Sequence, residues 1–566
     1  MSSSPSQDDY YFSSTSGSFC SSPVSVSTPI TPPDPETFLS VCCVGAGFVG
    51  GPTAAIIAYH NRSIQVNVVD LDARKIRKWN SAHLPVHEPG LQDVVRVVRD
   101  GCGEFGGKEQ RKPNLIFSTD VIGHISSADI IFLAVNTPTK ERGQGAGRAA
   151  DLSALEAATR SVALAAKPGA IIVEKSTVPV RTADVVRRTL ALHRPQEHFE
   201  VLSNPEFLAE GTAVSDLMNP DRVLIGSAPT MSGAAAAEVL SSVYEAWVPR
   251  ERICTTTLYS SELTKLTANA MLAQRISSIN SIAAVCEATG ADVHEIARVV
   301  GMDHRVGSQF LGAGVGFGGS CFKKDISNLV YIAESLHLPA VAAYWDQVLK
   351  MNEWQQTRFA DRIINCLNGS LRRKKVTILG YAFKANTNDT RETPAVEVIR
   401  KLLPESPKEI AIYDPGCNTL DVMNGLQAIF GSEAEHIVPY SDPYAACSGA
   451  AALAIVTEWD QFRLGTQKKQ AAGGLKAAMP QLMRAAVDRN LRPDLPCPDD
   501  CNDCLQGSVL KAAPQSISTS QRLDYRRIAG AMQTPKWIFD GRGVINRNSL
   551  ERLEAGFVLE SVGVGN

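Results

Sequence analysis

The chain has 566 residues and a formal net charge of −3, from 56 basic and 59 acidic side chains. Its length predicts three or four folded units, and its balanced charge excludes the basic surface of a protein that binds nucleic acid or an anionic membrane. No stretch approaches the ~18 apolar residues of a membrane span, the start lacks a signal peptide, and the 13 cysteines are an odd number scattered along the chain, so we expect a cytoplasmic protein with reduced thiols.

In chain order, the first segment has little apolar content. Residues 1–36 are rich in Ser, Pro and Asp, and we predict a disordered tail there. From residue 37 to 256, apolar runs such as 39–44 and 130–135 alternate with alanine-rich helical stretches. This alternation is typical of βαβ units, so it predicts a doubly wound domain with a parallel sheet.

A glycine-rich turn follows the first predicted strand. Gly45-Ala46-Gly47-Phe48-Val49-Gly50 has the G-x-G-x-x-G spacing that brings backbone amides and a helix start to a pyrophosphate. Twenty residues later a second strand ends at Asp70, whose carboxylate suits the ribose hydroxyls of NAD and repels the 2′-phosphate of NADP. The glycines alone are consistent with a packing turn, but strand, helix and acid together predict NAD as the cofactor.

Three further loops follow predicted strands, at residues 135–139, 174–178 and 204–211. In an open α/β sheet, ligands bind beyond the carboxyl ends of the strands. Each loop alone is consistent with ordinary turn chemistry. Together with the glycine turn they indicate one site at this edge of the sheet.

Between about 257 and 370 the pattern changes to long helical segments. The run from Ser261 to Gly290 has no strand punctuation and predicts a helix of several turns that joins two domains. Glu262, Lys265 and Asn269 share one stripe of this helix, which is also consistent with a solvated face carrying an ion pair.

From 371 to 566 the strand pattern resumes with VTILGYAF and EIAIYDP. It predicts a second Rossmann-like domain without a glycine fingerprint. The predicted fold class is therefore α/β, with two Rossmann-like doubly wound domains joined by a long central helix.

A segment rich in Lys, Ala, Gly, Pro and Ser interrupts the second domain at about 466–530. It lacks apolar periodicity, so we predict a surface insertion whose removal leaves activity intact. It contains Cys497, Cys501 and Cys504 at C-x3-C-x2-C spacing, but no His. A structural zinc site needs four ligands, so no metal is expected.

Cys321 lies inside a glycine loop, in the run VGFGGSCFKKD. A thiolate beside a nicotinamide can hold an aldehyde as a thiohemiacetal until a second hydride leaves, which predicts oxidation of an alcohol to an acid. Ser320 is predicted to cap a helix that starts at Cys321, which would lower the pKa of the thiol. A buried structural cysteine is the alternative for a lone thiol.

Taken together, the motifs resemble the UDP-glucose 6-dehydrogenase family, within the nucleotide-sugar dehydrogenases. The most specific blocks are GAGFVGGPTAA, EKSTVPVRTA, SNPEFLAEGTA and GVGFGGSCFKKD, and the match runs from about 39 to 459 and resumes at 536–542. The resemblance implies NAD-dependent oxidation of UDP-glucose to UDP-glucuronate by a homodimer or an assembly of dimers, with dimerisation through residues 257–370 and UDP-sugar binding by 371–566. The alternatives are a dehydrogenase of another nucleotide sugar, a two-electron β-hydroxyacid dehydrogenase and a non-catalytic NAD-binding regulator.

The resemblance also implies roles for individual residues. Cys321 would be the nucleophile, Lys265 and Asn269 would stabilise the oxyanion, and Asp325 would support proton transfer. The residues that would position and activate water are Thr177 and Glu206. The implied cofactor contacts are Gly45, Ala46, Gly47, Phe48, Val49, Gly50, Asp70, Lys75, Val135, Asn136, Thr137, Pro138, Thr139, Ser176, Thr177, Val178, Glu210, Lys324 and Arg391. The implied substrate contacts are Glu206, Phe207, Leu208, Ala209, Glu210, Lys265, Asn269, Phe310, Leu311, Gly312, Gly316, Phe383, Lys384, Arg542 and, from a neighbouring subunit, Arg305.

Overall fold

The computed structural model describes residues 39–101, 111–465, 496–498, 501, 504 and 521–565. The tail predicted for 1–36 and most of the predicted insertion lie outside these residues. Within the described ranges, no helix combines the length and the apolar character needed to cross a bilayer.

An eight-stranded sheet forms the first domain. Its strands are β1 (Ser40–Val44), β2 (Gln65–Val69), β3 (Leu115–Ser118), β4 (Ile130–Leu133), β5 (Ile171–Glu174), β6 (Glu200–Ser203), β7 (Val223–Ser227) and β8 (Ile253–Thr257). They are ordered β3-β2-β1-β4-β5-β6-β7-β8, and the neighbours are parallel except β6 with β7. The strand order reverses between β1 and β4, which opens a crevice at their carboxyl ends where such sheets bind dinucleotides.

Helices cover both faces of this sheet. They are α1 (Gly50–His60), α2 (Ala73–Trp79), α3 (Leu91–Asp100), α4 (Val121–Ser127), α5 (Ser153–Ala165), α6 (Thr182–His193), α7 (Ala213–Met218) and α8 (Met231–Glu245), with a 3-10 turn at Arg250–Arg252. Successive side chains of a strand point to opposite faces, so Cys42 packs in the core with α5 and α6 while Cys43 packs in the core with α1, α3 and α8.

The central region consists of four helices. They are α9 (Leu258–Thr289), α10 (Val293–Val300), α11 (Ser320–Ser335) and α12 (Pro339–Cys366). Helix α9 begins directly after β8, and α11 and α12 pack along it. The stripe of Glu262, Lys265 and Asn269 is therefore buried, with 2%, 6% and 6% of each residue exposed. The alternative interpretation of this stripe, a solvated face carrying an ion pair, is therefore wrong.

A six-stranded parallel sheet forms the second domain. Its strands are β9 (Lys375–Leu379), β10 (Glu409–Tyr413), β11 (Ile437–Tyr440), β12 (Ala452–Ile455), β13 (Lys536–Asp540) and β14 (Phe557–Ser561), ordered β11-β10-β9-β12-β13-β14. The helices are α13 (Pro394–Leu402), α14 (Thr419–Phe430), α15 (Pro443–Cys447), α16 (Tyr525–Ala531) and α17 (Arg547–Glu551), with 3-10 turns at Leu403–Glu405, Gly431–His436 and Asp460–Phe462. The predicted α/β fold class, with two Rossmann-like domains and a long central helix, is confirmed.

The carboxyl end of the predicted insertion is part of the folded domain. Leu523, Tyr525 and Ile528 are at most 5% exposed and pack under β12 and β13. The Tyr525 hydroxyl donates to the Phe462 carbonyl at 2.6 Å. Removing 466–530 would open this core, so the prediction of a removable surface insertion is wrong for the carboxyl end of the segment, from Leu523 onward.

Candidate functional site

The glycine turn after β1 has a backbone that larger residues cannot adopt. Gly45 has φ +109°, and a Cβ there would collide with the Ala134 carbonyl, while a Cβ at Gly50 would collide with the Gly45 carbonyl. At Gly47 an added Cβ would meet nothing within 4 Å. The turn is therefore closed on the protein side and open at Gly47, where a pyrophosphate needs close access to backbone N–H groups.

Asp70 lies one residue beyond the end of β2, at the edge of this turn. Its carboxylate accepts the Ala46 N–H at 2.9 Å, the Asp72 N–H at 3.0 Å and the Lys75 ammonium at 3.0 Å. Burial opposes ionisation, but the two backbone hydrogen bonds and Lys75 outweigh it and lower the pKa of Asp70. The carboxylate is thus ionised at neutral pH and repels a second anion nearby.

We expect Asp70→Ser to weaken the preference for NAD over NADP by about 10²-fold in kcat/KM, because charge repulsion in a partly desolvated site is lost. Parallel kinetics with both cofactors measure this ratio. Asp120→Ser is the matched control, since Asp120 is an exposed cap of α4 at its Gly123 N–H. An unchanged ratio in Asp70→Ser would contradict the ribose-facing role.

A cavity of about 300 Å³ opens beside the turn. Most of the predicted cofactor contacts line it, namely Ala46, Gly47, Phe48, Val49, Lys75, Val135, Asn136, Thr137, Ser176, Thr177, Glu210, Lys324 and Arg391. The predicted cofactor contacts that do not line it are Gly45, Gly50, Asp70, Pro138, Thr139 and Val178. The lining residues that the motifs missed are Pro85, Val86, Ala134, Ser320 and Cys321. Pro85 and Val86 belong to the loop between α2 and α3, which carries no local signal for a ligand.

A second cavity, also of about 300 Å³, lies between the first domain, the central helices and the second domain. The predicted residues that line it are Phe207, Leu208, Ala209, Glu210, Lys265, Asn269, Phe310, Gly312, Gly316, Cys321, Phe383, Lys384 and Arg542. The lining residues that were not predicted include Leu272, Ile276, Phe317, Phe322 and Glu458. Leu272 and Ile276 follow Asn269 at helical spacing, and Glu458 follows the end of β12. The sequence therefore contained a signal for each of these three residues. Cys321 and Glu210 line both cavities.

Buried amides hold the glycine loop that precedes Cys321. Asn280 Oδ1 accepts the Gly314 N–H at 2.8 Å, and Gln355 Nε2 donates to the Gly314 carbonyl at 2.8 Å. Asn352 bonds to both the N–H and the carbonyl of Phe317, at 2.8 and 3.0 Å. The backbone groups of Gly314 and Phe317 are therefore satisfied from α9 and α12, which fixes this part of the cavity wall.

Cys321 is the second residue of α11. The cap is Gly319, with φ +84°, and Ser320 is the first helical residue, so the capping role predicted for Ser320 is wrong. Burial raises the pKa of Cys321, and Glu210 and Asp325 add to the increase, while Lys265 and Lys324 oppose it. The predicted lowering is therefore wrong as well, because desolvation and two carboxylates outweigh two ammonium groups.

A chain of polar contacts links three of the predicted catalytic residues. The Lys265 ammonium donates to Asn269 Oδ1 at 3.3 Å, and Asn269 Nδ2 donates to Asp325 Oδ2 at 2.6 Å. Asp325 is 1% exposed, and its Oδ1 lies 3.6 Å from the Lys324 ammonium. Lys265 and Asn269 line the second cavity. The hydrogen bond from Asn269 to Asp325 orients the Asn269 amide so that its oxygen accepts from Lys265.

Glu206 contacts protein groups on both oxygens. Oε1 accepts the N–H groups of Phe207 and Leu208 at 2.8 and 3.1 Å, and Oε2 lies 2.9 Å from the Lys175 ammonium. Burial opposes ionisation, but Lys175 and the backbone N–H groups lower the pKa of Glu206. Glu206 lines neither of the two cavities, and its contacts anchor the loop that carries Phe207.

Two predicted substrate contacts lie away from the cavities. The Arg305 side chain is 78% exposed and pairs with Asp303 at 2.6 Å. Leu311 packs against the core of the second domain and the central helices. Leu311 thus supports the loop, and the resemblance assigns Arg305 to a neighbouring subunit.

The two cavities share Cys321 and Glu210; the first lies mostly against the first Rossmann-like domain, and the second lies between both domains and the central helices. A protein that holds a dinucleotide beside a second ligand in this way belongs to the NAD-dependent oxidoreductases. Models of three domains match the chain: the NAD binding domain of the UDP-glucose/GDP-mannose dehydrogenase family over 39–248, its central domain over 259–354 and its UDP binding domain over 377–479. The chain belongs to the UDP-glucose/GDP-mannose dehydrogenase family, and NAD is its cofactor.

Known proteins of similar sequence extend over almost the whole chain. UDP-glucose 6-dehydrogenase 2 of Oryza sativa subsp. japonica is 44% identical, over 93% of this chain and 97% of that protein. UDP-glucose 6-dehydrogenase of Drosophila melanogaster is 45% identical, over 93% and 96%. The solved structure of a UDP-glucose dehydrogenase from the archaeon Pyrobaculum islandicum matches with a TM-score of 0.64 and 31% identity, over 76% of this chain and 92% of that one.

Proposed function

We propose that this chain oxidises UDP-glucose to UDP-glucuronate through a covalent intermediate on Cys321. The observation that carries the proposal is the position of Cys321, which lines both the cofactor cavity and the second cavity. The similar proteins named for UDP-glucose support the choice of substrate. Lys384 and Arg542 bring positive charge to the second cavity, which suits a diphosphate.

When bound, NAD⁺ accepts hydride, and the overall oxidation uses two NAD⁺ and one water for each UDP-glucose. The first oxidation removes a hydride from C6 and a proton from the C6 hydroxyl, which is released to solvent, and it leaves an aldehyde. The thiol of Cys321 then adds across the aldehyde C=O, and Lys265 with Asn269 stabilises the oxygen. Loss of a second hydride and that oxygen's proton leaves a thioester. Water adds to its carbonyl, the C–S bond breaks, and the acid and the thiol are formed.

The ratio of NADH formed to UDP-glucose consumed tests this function. We expect two NADH for each UDP-glucose, because the thiohemiacetal must lose a second hydride before water releases the acid. Absorbance and product chromatography together measure the ratio. One NADH with free aldehyde would contradict the covalent route, while turnover of GDP-mannose or UDP-N-acetylmannosamine in place of UDP-glucose would contradict the substrate.

Glu206→Gln separates two roles of this residue. If Glu206 activates the water, as the resemblance implies, turnover falls by about 10²-fold while the first hydride transfer stays near its original rate. A thioester on Cys321 then accumulates and is visible by intact mass. Glu245→Gln is the matched control, because Glu245 pairs with Arg250 on the surface.

The contacts of Glu206 in the structure also allow a purely structural role, for which Glu206→Gln would give a different result. If Glu206 acts only as an anchor, the buried Lys175 loses its carboxylate partner and the unfolding temperature falls. No adduct then builds up on Cys321, and that result would contradict water activation by Glu206.

We also propose a homodimer formed by the central helices. Among the described residues, Val299, Met302 and Val306 leave 57%, 75% and 38% of their surface exposed around Arg305. Such a group of exposed apolar side chains favours contact with a second protein surface. Sedimentation equilibrium tests the dimer, and the mass of a single chain at assay concentrations would contradict it.

A further inference from the structure

Three cysteines from the predicted insertion meet a histidine of the first domain. The Sγ atoms of Cys497, Cys501 and Cys504 lie 3.4, 3.8 and 3.2 Å from His83 Nδ1. All four atoms lie within 4.8 Å of one another, and the three cysteines are free thiols. His83 is 414 residues from Cys497 in the chain, so only the tertiary fold brings this group together.

The distances match a tetrahedral metal site. Zn²⁺ binds Sγ at about 2.3 Å and a histidine nitrogen at about 2.0 Å, which places sulfur and nitrogen about 3.5 Å apart on the edges of a tetrahedron. A disulfide between two of the thiols needs about 2.05 Å between sulfurs. It would also leave the third thiol and the histidine without a role.

The chemical types of the four donor atoms determine which metal ion the site favours. Three thiolates and one imidazole are soft or borderline ligands, which favour Zn²⁺ over Mg²⁺ or Ca²⁺. Four protein ligands complete the coordination of Zn²⁺ and leave no open position, as in structural zinc sites. A hydrolytic role at this place is therefore excluded.

The surrounding residues hold the ligands in position. The Cys501 N–H donates to the Pro498 carbonyl at 2.9 Å, which closes a turn between the first two cysteines. Ser81 is 1% exposed. Its Oγ accepts the Cys497 thiol at 3.2 Å and the backbone N–H of His83 at 3.2 Å. Such outer contacts orient the ligands of metal sites.

The loop that carries His83 also contributes to the cofactor cavity. Pro85 and Val86 line that cavity. The Glu88 carboxylate accepts the N–H groups of Gly211 and Ala213 at 2.6 and 3.1 Å, and so ties this loop to the segment that follows β6. An ion at His83 would therefore be attached to a loop that is already fixed at its other end.

We propose that His83, Cys497, Cys501 and Cys504 bind one structural Zn²⁺ ion, which fastens the segment preceding α16 to the cofactor-binding domain. The expectation of no metal counted ligands only within the insertion, and the fourth ligand comes from the first domain. Zinc binding of this kind adds folding free energy because the unfolded chain has no preformed site.

Metal analysis of the full chain, purified without chelator and with any affinity tag removed, tests the site. We expect one zinc per chain by mass spectrometry, and almost none in Cys504→Ser or His83→Ala after dialysis against a chelator. Cys254→Ser is the control and keeps its zinc, because Cys254 is an exposed thiol of β8. His83→Cys also keeps zinc, since four thiolates form an equally good structural site.

A second measurement separates metal loss from misfolding. With zinc bound, we expect the chain around 496–504 to resist cleavage by a protease. A strong chelator should make this segment susceptible to cleavage, while the NAD-binding domain stays intact. The proposal is overturned if the chain takes up no zinc from a zinc-containing buffer. It is also overturned if all variants keep the same zinc content, or if non-reducing mass spectra show a disulfide among the three cysteines.

Discussion

Replacing Cys321 by alanine is expected to lower kcat for acid formation by about 10⁴-fold or more, as loss of a covalent nucleophile does in other enzymes. Without the thiol, the C6 aldehyde has no covalent attachment, and neither the thiohemiacetal nor the thioester can form. Coupled measurement of NADH and UDP-glucuronate gives the rate. Cys254→Ala serves as the control, because that thiol is exposed on β8, outside both cavities.

The outcome that would contradict this assignment is specific. If Cys321→Ala retains two NADH per UDP-glucose at a comparable rate, the intermediate forms elsewhere. A single slow hydride transfer with free aldehyde in solution would instead support the thiol as the group that holds the aldehyde.

Lys265→Met is expected to reduce kcat by about 10²–10³-fold, the usual loss when one oxyanion donor is removed. Lys265 is 6% exposed, lines the second cavity and donates to Asn269. Steady-state kinetics and a separate binding measurement for UDP-glucose show whether the loss is in kcat. Lys350→Met is the matched control, since Lys350 pairs with Asp346 on the surface of α12.

Removing Lys265 also affects the thiol. Burial, Glu210 and Asp325 already raise the pKa of Cys321, and Lys265 is a cation that opposes them. Its loss raises this pKa further, so a smaller fraction is thiolate at any pH below the pKa. The rate of alkylation of Cys321 by iodoacetamide should therefore rise at higher pH in Lys265→Met than in the parent chain. An identical pH profile would show that the ammonium lies too far from Cys321 to act on it.

The spacing of residues along the chain predicted those parts of the site whose residues come from a single βαβ unit or a single helix. The glycine turn and Asp70 follow from one βαβ unit, and Lys265 and Asn269 follow from helical spacing. Prediction failed where distant segments decide the outcome. The pKa of Cys321 depends on Glu210, which lies on another loop, and the contacts of Glu206 depend on Lys175 after a neighbouring strand. No local pattern links His83 to the three cysteines, because only the packing of the second domain against the first places them together.

The shared wall at Cys321 has a kinetic consequence. The two cavities have separate linings apart from Cys321 and Glu210, so under the covalent mechanism proposed above the first NADH would leave from its own cavity while the sugar stays bound to the sulfur. A fresh NAD⁺ would then enter before the substrate has dissociated. The enzyme would therefore exchange one ligand in the middle of its cycle while retaining the other, and an aldehyde trap added to the solution would capture nothing.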